Sequence, residues 1–451
     1  MNVIVICLDT LRWDALGCYN PNWVQTPCID YHAKKATLFT EARCGSFPTV
    51  PMRVDAYTGN VNWPRYGWKG IDTQQPKLPL LMREAGYYTG LVLDTMNNVG
   101  VGLPEYYDEY HLIKKDVDDG VTPDMIKFPV PRENIRENGG EYAGLRVEWS
   151  HYRHEEDWFG VRTMLRACKW LEDNAKREKF FLWVDSFEIH EDWMPPVYYV
   201  DFYDKDYQGL DYTFPNYGYT DIYQPHELNH LRSCYAGEVT LMDRWVGHLL
   251  RQIELMRLFE NTSVILTSDH GMYIGEHNRT GKHTVDEDNP WPLYDEVARV
   301  PLIIWTPFSR ALETISALVQ SADIMPTVLE FCGIAPPQTV GKSWVPLLKG
   351  ETITCHEAVY TSYHSGNGGG GSLPSHITVT IDRYTAIFGR KPHKPELYDR
   401  TLDPGQTRNI AEDNLEIVNM LRTGLVSFMQ KQGADEEYIE TYAKGLLSVE
   451  K

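Results

Sequence analysis

The chain has 451 residues, with 43 Lys+Arg against 63 Asp+Glu and a formal net charge of −20. A composition of 42% hydrophobic and 24% charged residues is that of a globular protein and excludes wholesale disorder. The negative field repels polyanions, which excludes nucleic acid and anionic bilayers as partners, and no run of about 18 apolar residues offers a membrane-spanning helix. A small anionic substrate stays open.

In chain order, residues 3–8 form a short apolar run that meets polar and charged residues at once. A secretory leader needs a basic flank, a longer apolar stretch and a small-residue cleavage site, so the run reads as a buried strand. Eight cysteines (Cys7, Cys18, Cys28, Cys44, Cys168, Cys234, Cys332, Cys355) are scattered without CxxC or zinc-type spacing. Reduced thiols and a cytoplasmic location are the expectation.

Further apolar runs at 87–93, 180–184, 264–267 and 300–305 lack clean alternation, which suits strands buried on both faces of a mostly parallel sheet. Amphipathic stretches lie between them. The clearest is 237–256, where Val239, Met242, Val246, Leu249, Leu250 and Ile253 recur at helical spacing. The expected fold is α/β: a large mostly parallel sheet sandwiched by helices, with its site at the carboxyl ends of the strands. Segments 103–160 and 191–228, rich in Tyr, charge and Pro, read as loops or insertions that could wall a pocket. Residues 341–351 look like a domain edge, giving a catalytic domain over 1–350. Residues 351–451 follow as a small antiparallel α+β subdomain, with a helix near 414–430. The glycine run at 366–371 lacks the Lys-Ser/Thr of a phosphate loop.

Two strand ends carry acids: Asp9 after the first run, and Asp269-His270 after the run at 264–267. Carboxylates at the ends of buried strands are costly unless neutralised, and a divalent cation does this. A third element is Thr49-Val50-Pro51-Met52-Arg53, with Thr58-Gly59 beyond it. Pro51 fits the first turn of a helix and Thr49 its N-cap. Alternatively, the Thr49 hydroxyl is a nucleophile at a positive helix terminus beside a metal, with Arg53 neutralising developing charge. The local pattern alone leaves both readings open.

These segments together resemble the sulfatase-type branch of the alkaline phosphatase superfamily along nearly the whole chain. Asp9-Thr10-Leu11-Arg12 is similar to its amino-terminal metal motif, Thr26-Pro27-Cys28-Ile29-Asp30 to its TPNID segment, and Thr49–Arg53 with Thr58-Gly59 to its C/S-x-P-x-R…TG signature. Ser268-Asp269-His270-Gly271, Gly275-Glu276-His277, Gly281-Lys282 and Arg299-Val300-Pro301-Leu302 follow in the family's order, and Glu396-Leu397-Tyr398-Asp399 with Asp403-Pro404-Gly405 resemble its tail.

The resemblance implies one divalent metal per site, held by Asp9, Asp269, His270 and the Thr49 oxygen. Thr10 stands where many sulfatases have a second Asp, which favours Mn or Zn over Ca or Mg. Arg53 and Lys282 would hold the substrate's anionic oxygens, and His190 matches the leaving-group histidine. His283 could share that role, and Asp94 and Asn97 end another strand near the expected pocket. Family members often form dimers or tetramers.

Thr49 departs from the pattern. Sulfatases of this family oxidise a Cys or Ser to formylglycine, whereas threonine carries its hydroxyl on a secondary carbon and cannot become that aldehyde. Its alkoxide can take a phosphoryl group and release it to water. A site with one metal and two cations matches a singly charged ester. The expected activity is hydrolysis of a small anionic ester, a phosphodiester or phosphonate monoester. The alternatives are sulfuric ester hydrolysis, phosphotransfer, or a non-catalytic binding role.

Overall fold

The strand Asn2–Leu8 is buried at every position because it lies inside an eight-stranded sheet. The order across the sheet is Glu313–Ile315, Thr37–Phe39, Leu302–Trp305, Thr262–Ser268, Asn2–Leu8, Phe180–Ser186, Tyr88–Leu93 and Glu109–Leu112. The structure, a computed structural model, describes residues 1–115, 120–282, 291–309, 311–363, 376–389 and 393–443. Side chains alternate across the pleat. Ile4, Ile6 and Leu8 face a layer built by helices Phe159–Asn174 and Pro225–Leu255. Val3, Val5 and Cys7 face helices Thr49–Thr58 and Ile324–Phe331. Two buried faces explain the unalternating apolar runs.

Strand register positions the site. Leu8 pairs with Ser186 on one side and Ser268 on the other, and Leu93 pairs with Asp185. Four neighbouring strands therefore end level, and each delivers an acid at its carboxyl end: Asp269, Asp9, Asp185 and Asp94.

Several elements differ from the sequence reading. The run at 300–305 becomes Leu302–Trp305, antiparallel to both neighbours; apolar periodicity carries no information on strand direction. The helix read from 237 begins at Pro225, where Gln224 and Glu227 form a capping box ahead of polar turns. Segment 103–160 contributes the edge strand Glu109–Leu112, whose polar, partly exposed residues give no apolar run.

The carboxyl-terminal strands Ala358–Tyr363, His376–Ile381, Tyr384–Gly389 and Glu396–Asp399 form an antiparallel sheet. Helix Leu415–Lys431 covers one face. A fifth strand comes from far away: Ser46–Phe47 pairs parallel with Ala358–Tyr363. The opposite face packs around Phe47, Trp291, Leu293 and Tyr294. The glycine run at 366–371 lies outside the described residues. Among the described residues, no helix is long and apolar enough to cross a membrane.

Candidate active site

Asp9, Asp269 and His270 are fully buried at two adjacent strand ends. One ligand atom from each lies within 4.8 Å of the others. Asp9 Oδ2 and His270 Nε2 make no hydrogen bond among the described residues. Orphaned buried polar atoms on two of these three groups fit a divalent cation, since leaving them bare costs about 1–3 kcal/mol each. Burial and the charge of Asp269 push the Asp9 carboxyl well above the usual carboxylate range. Burial takes His270 down to about 4, keeping the imidazole neutral at pH 7, as a metal ligand requires. Burial opposes ionisation of Asp269 as well, but His270 and the Arg53 guanidinium hold its carboxyl below its ordinary value.

Arg53 is fully buried, one turn along the helix Thr49–Thr58. Its Nε and NH2 donate to the Asp185 carboxylate at 2.9 and 2.8 Å. Its NH1 donates to Asp269 Oδ2 at 2.5 Å and to the Thr49 carbonyl at 3.1 Å, and lies 3.6 Å from Asp9 Oδ2. The guanidinium thus ties the first turn of this helix to the acid cluster. Thr49 is the first helical residue, and Pro48 occupies the cap position with no side-chain capping bond. The N-cap reading of Thr49 is not met, because Thr49 is already the first helical residue and Pro48 holds the cap position.

Thr10 fills the place beside Asp9. Its hydroxyl donates to Asp9 Oδ1 at 2.8 Å and accepts from Lys282 Nζ at 3.2 Å. Its backbone N–H donates to Asp269 Oδ1 at 3.0 Å with φ of 61°. A β-branched residue in the left-handed region costs about 1–3 kcal/mol, which these bonds offset. Lys282 is buried and also lies 3.7 Å from Glu191 Oε2. His190 is buried, with Nδ1 2.7 Å from the Glu191 carbonyl and its ring stacked on Phe187. A carbonyl only accepts, so Nδ1 carries the proton and the ring is oriented by its own following residue.

Asp9, Arg53, Asp269, His270 and Lys282 are therefore joined in one network that reaches Thr49 through its carbonyl, with His190 linked to it through Glu191. Asp94 faces the scaffold: it accepts from Thr163, Ser186 and the Phe187 N–H, bracing the loop that leads to His190. Asn97 is exposed in the short helix Met96–Gly100, and the side chain buried there is its neighbour Asn98. Three scaffold donors engage the Asp94 carboxylate and Asn97 faces solvent, so no side-chain hydrogen bond among the described residues ties either of them to the Asp9 network. His283 lies outside the described residues. Sequence reasoning passed over Asp185, which follows an apolar run as Asp9 does and was legible by the same rule. It also passed over Glu191, which no spacing marks.

A family model described as Sulfatase matches residues 1–334, and one described as N-sulphoglucosamine sulphohydrolase, C-terminal, matches residues 288–431. The N-acetylglucosamine-6-O-sulfatase of Bacteroides thetaiotaomicron is 22% identical, over 91% of this chain and 82% of that protein. Arylsulfatase K of Mus musculus is 26% identical, over 95% of this chain and 79% of its own length. The solved phosphonate monoester hydrolase of Agrobacterium radiobacter superposes with a TM-score of 0.76 at 19% identity, covering 98% of this chain and 97% of that one. The motifs, the fold and the match over residues 1–334 agree: the chain belongs to the sulfatase family and is a hydrolase of that family.

Proposed function

We propose that this hydrolase cleaves phosphodiesters or phosphonate monoesters through a covalent phosphoryl-type intermediate on Thr49. The observation that carries the reading is Thr49 itself, at the head of a buried helix whose Arg53 is bonded to the acid cluster. A fold likeness at 19% identity does not choose between phosphorus and sulfur esters.

Asp9, Asp269 and His270, with the Thr49 oxygen, would hold one divalent ion, Mn or Zn in preference to Ca or Mg because Thr10 adds no charge. The chemistry such an ion supplies when bound is charge neutralisation and acidification of a neighbouring hydroxyl. The Thr49 oxygen attacks phosphorus and forms the Thr49 O–P bond as the ester O–P bond breaks. His190 gives a proton to the departing alkoxide. Water then attacks phosphorus, a proton passes to His190, and the Thr49 O–P bond breaks to return the Thr49 oxygen as the alkoxide that attacked, its hydroxyl proton having been released to solvent before the first step. Lys282, whose Glu191 contact is long, meets the anionic oxygens. Arg53, committed to two carboxylates, acts as a fixed positive charge beneath them.

The sulfatase names of the relatives favour a second reading, sulfuric ester hydrolysis on the same scaffold. The proposal also includes a small anionic ester as substrate, no nucleic-acid or membrane partner, assembly of the chain into a dimer or tetramer, a cytoplasmic location, and a division near residue 350. Acid quench during turnover of a phosphonate monoester, followed by peptide mass analysis, should find the phosphonyl mass on the Thr49 peptide. Thr49→Ala should lose at least about 10³-fold in kcat. An unmodified peptide with undiminished Thr49→Ala turnover contradicts the proposal.

A further inference from the structure

On the helix Pro225–Leu255, His230 and Cys234 lie four residues apart, so their side chains leave the same face from successive turns. The insertion at 191–228 folds back over that face and brings Asp204 and Asp211 against His230. One ligand atom from each of Asp211, His230 and Cys234 lies within 4.8 Å of the other two. His230 Nε2 is 3.7 Å from Asp211 Oδ1, too long for a hydrogen bond. It is near the separation of two atoms that each sit about 2.0–2.2 Å from a shared tetrahedral ion. The other ring nitrogen, Nδ1, is 3.1 Å from Asp204 Oδ2. A carboxylate on one imidazole nitrogen fixes the tautomer and aims the other at a metal. Tyr207 stacks on the His230 ring at 3.6 Å between centroids and holds its orientation. His230 and Cys234 are buried, whereas Asp211 is exposed, which leaves a path from solvent.

We propose that Asp211, His230 and Cys234 form a second metal site, distinct from the Asp9 cluster, that binds Zn²⁺ with Asp204 orienting His230 and water completing the tetrahedron. Thiolate, imidazole and carboxylate are a zinc donor set, and a thiol is a poor ligand for Ca²⁺ or Mg²⁺. Without an ion, burial and the neighbouring acids keep the Cys234 thiol protonated. Binding forms the S–Zn bond and releases that proton to water. The ion would pin the insertion to the long helix. Two residues beyond Asp211, the Thr213 carbonyl accepts from the Trp193 N–H at 2.8 Å, and Tyr217 OH donates to the Glu191 carboxylate. The site would thus brace the wall that carries His190 and Glu191.

Cobalt substitution of the full-length protein tests this without recourse to activity, because a cobalt–thiolate bond gives a near-ultraviolet charge-transfer band that the thiol-free Asp9 cluster cannot give. The wild type should show one equivalent of band-bearing Co²⁺. Asp9→Asn should keep the band, as should Cys355→Ser, whose thiol lies by Asp323 and His356. Cys234→Ser should lose it. Asp211→Asn, a change at an exposed residue that leaves the fold intact, should weaken Co²⁺ binding at this site about tenfold or more. Absence of the band in the wild type, its survival in Cys234→Ser, or unchanged affinity in Asp211→Asn would each overturn the proposal.

Discussion

Arg53 reaches the acid cluster only because Asp185 holds it from the opposite side. Two bonds at 2.9 and 2.8 Å fix the guanidinium plane, while Thr95 Oγ1 and Trp183 Nε1 donate to the same carboxylate at 2.8 and 3.0 Å. Asp185→Asn leaves Arg53 paired with Asp269 but removes the paired charged hydrogen bonds on its other side, at a cost of about 1.5–3 kcal/mol. Asp185→Asn should therefore lower the unfolding free energy by about that amount, read from denaturant titration. It should also reduce kcat, because the first turn of the Thr49 helix loses its anchor. A neutral effect on both would show that Asp185 is not the support. Most chemistry-bearing residues were legible at this scale because Asp9, Thr49, Arg53, Asp269, His270 and Lys282 sit in short motifs. Thr10 was recognised as a substitution, but its bridging of Asp9 and Lys282 depends on a left-handed backbone that residue identity does not reveal.

At the scale of elements, the long helix Pro225–Leu255 carries a buried acid, Glu238, near Asp192 and Glu188. Burial, then the charge of Asp192, pushes the Glu238 carboxyl up to about 8. The native state keeps this proton over a range where the unfolded chain has lost it. Its contribution to stability is full below the ordinary glutamate value of about 4.3 and is lost as pH rises through about 8. Glu238→Gln has no such proton, so the variant's Tm should gain on the wild type from about pH 5 to about pH 8.5. A Tm difference independent of pH would refute the assignment. Helical spacing had identified the apolar stripe of this helix from 237 onward. It passed over the preceding turns, where His230 and Cys234 lie, because their neighbours are polar and their partners come from a distant loop.

At the scale of the molecule, the small carboxyl-terminal sheet takes in the two residues that lead into the helix Thr49–Thr58. Ser46–Phe47 adds a strand to Ala358–Tyr363, and the Phe47 ring packs 4.8 Å from both His270 and Tyr363. The sequence showed the alternating strands beyond residue 376 and hence a small antiparallel sheet, but a two-residue strand leaves no pattern to read. A chain ending at residue 350 removes the pairing partner of Ser46–Phe47 and uncovers Phe47. It should lose turnover and bind metal at the Asp9 cluster at least about tenfold more weakly, as seen by calorimetry against the full chain. Equal metal affinity in the truncated chain would show that the sheet is an appendage. The charge of −20 belongs to this scale too: its long-range field repels polyanions, while the buried Lys282 and Arg53 set a local positive field beside the acid cluster.

The most direct test of the Thr49 chemistry is kcat/KM of the metal-loaded protein on p-nitrophenyl phenylphosphonate, bis-p-nitrophenyl phosphate and p-nitrophenyl sulfate, measured side by side. A threonine nucleophile on a singly charged ester predicts that a phosphorus ester is turned over most efficiently; dominance of the sulfate ester would contradict it.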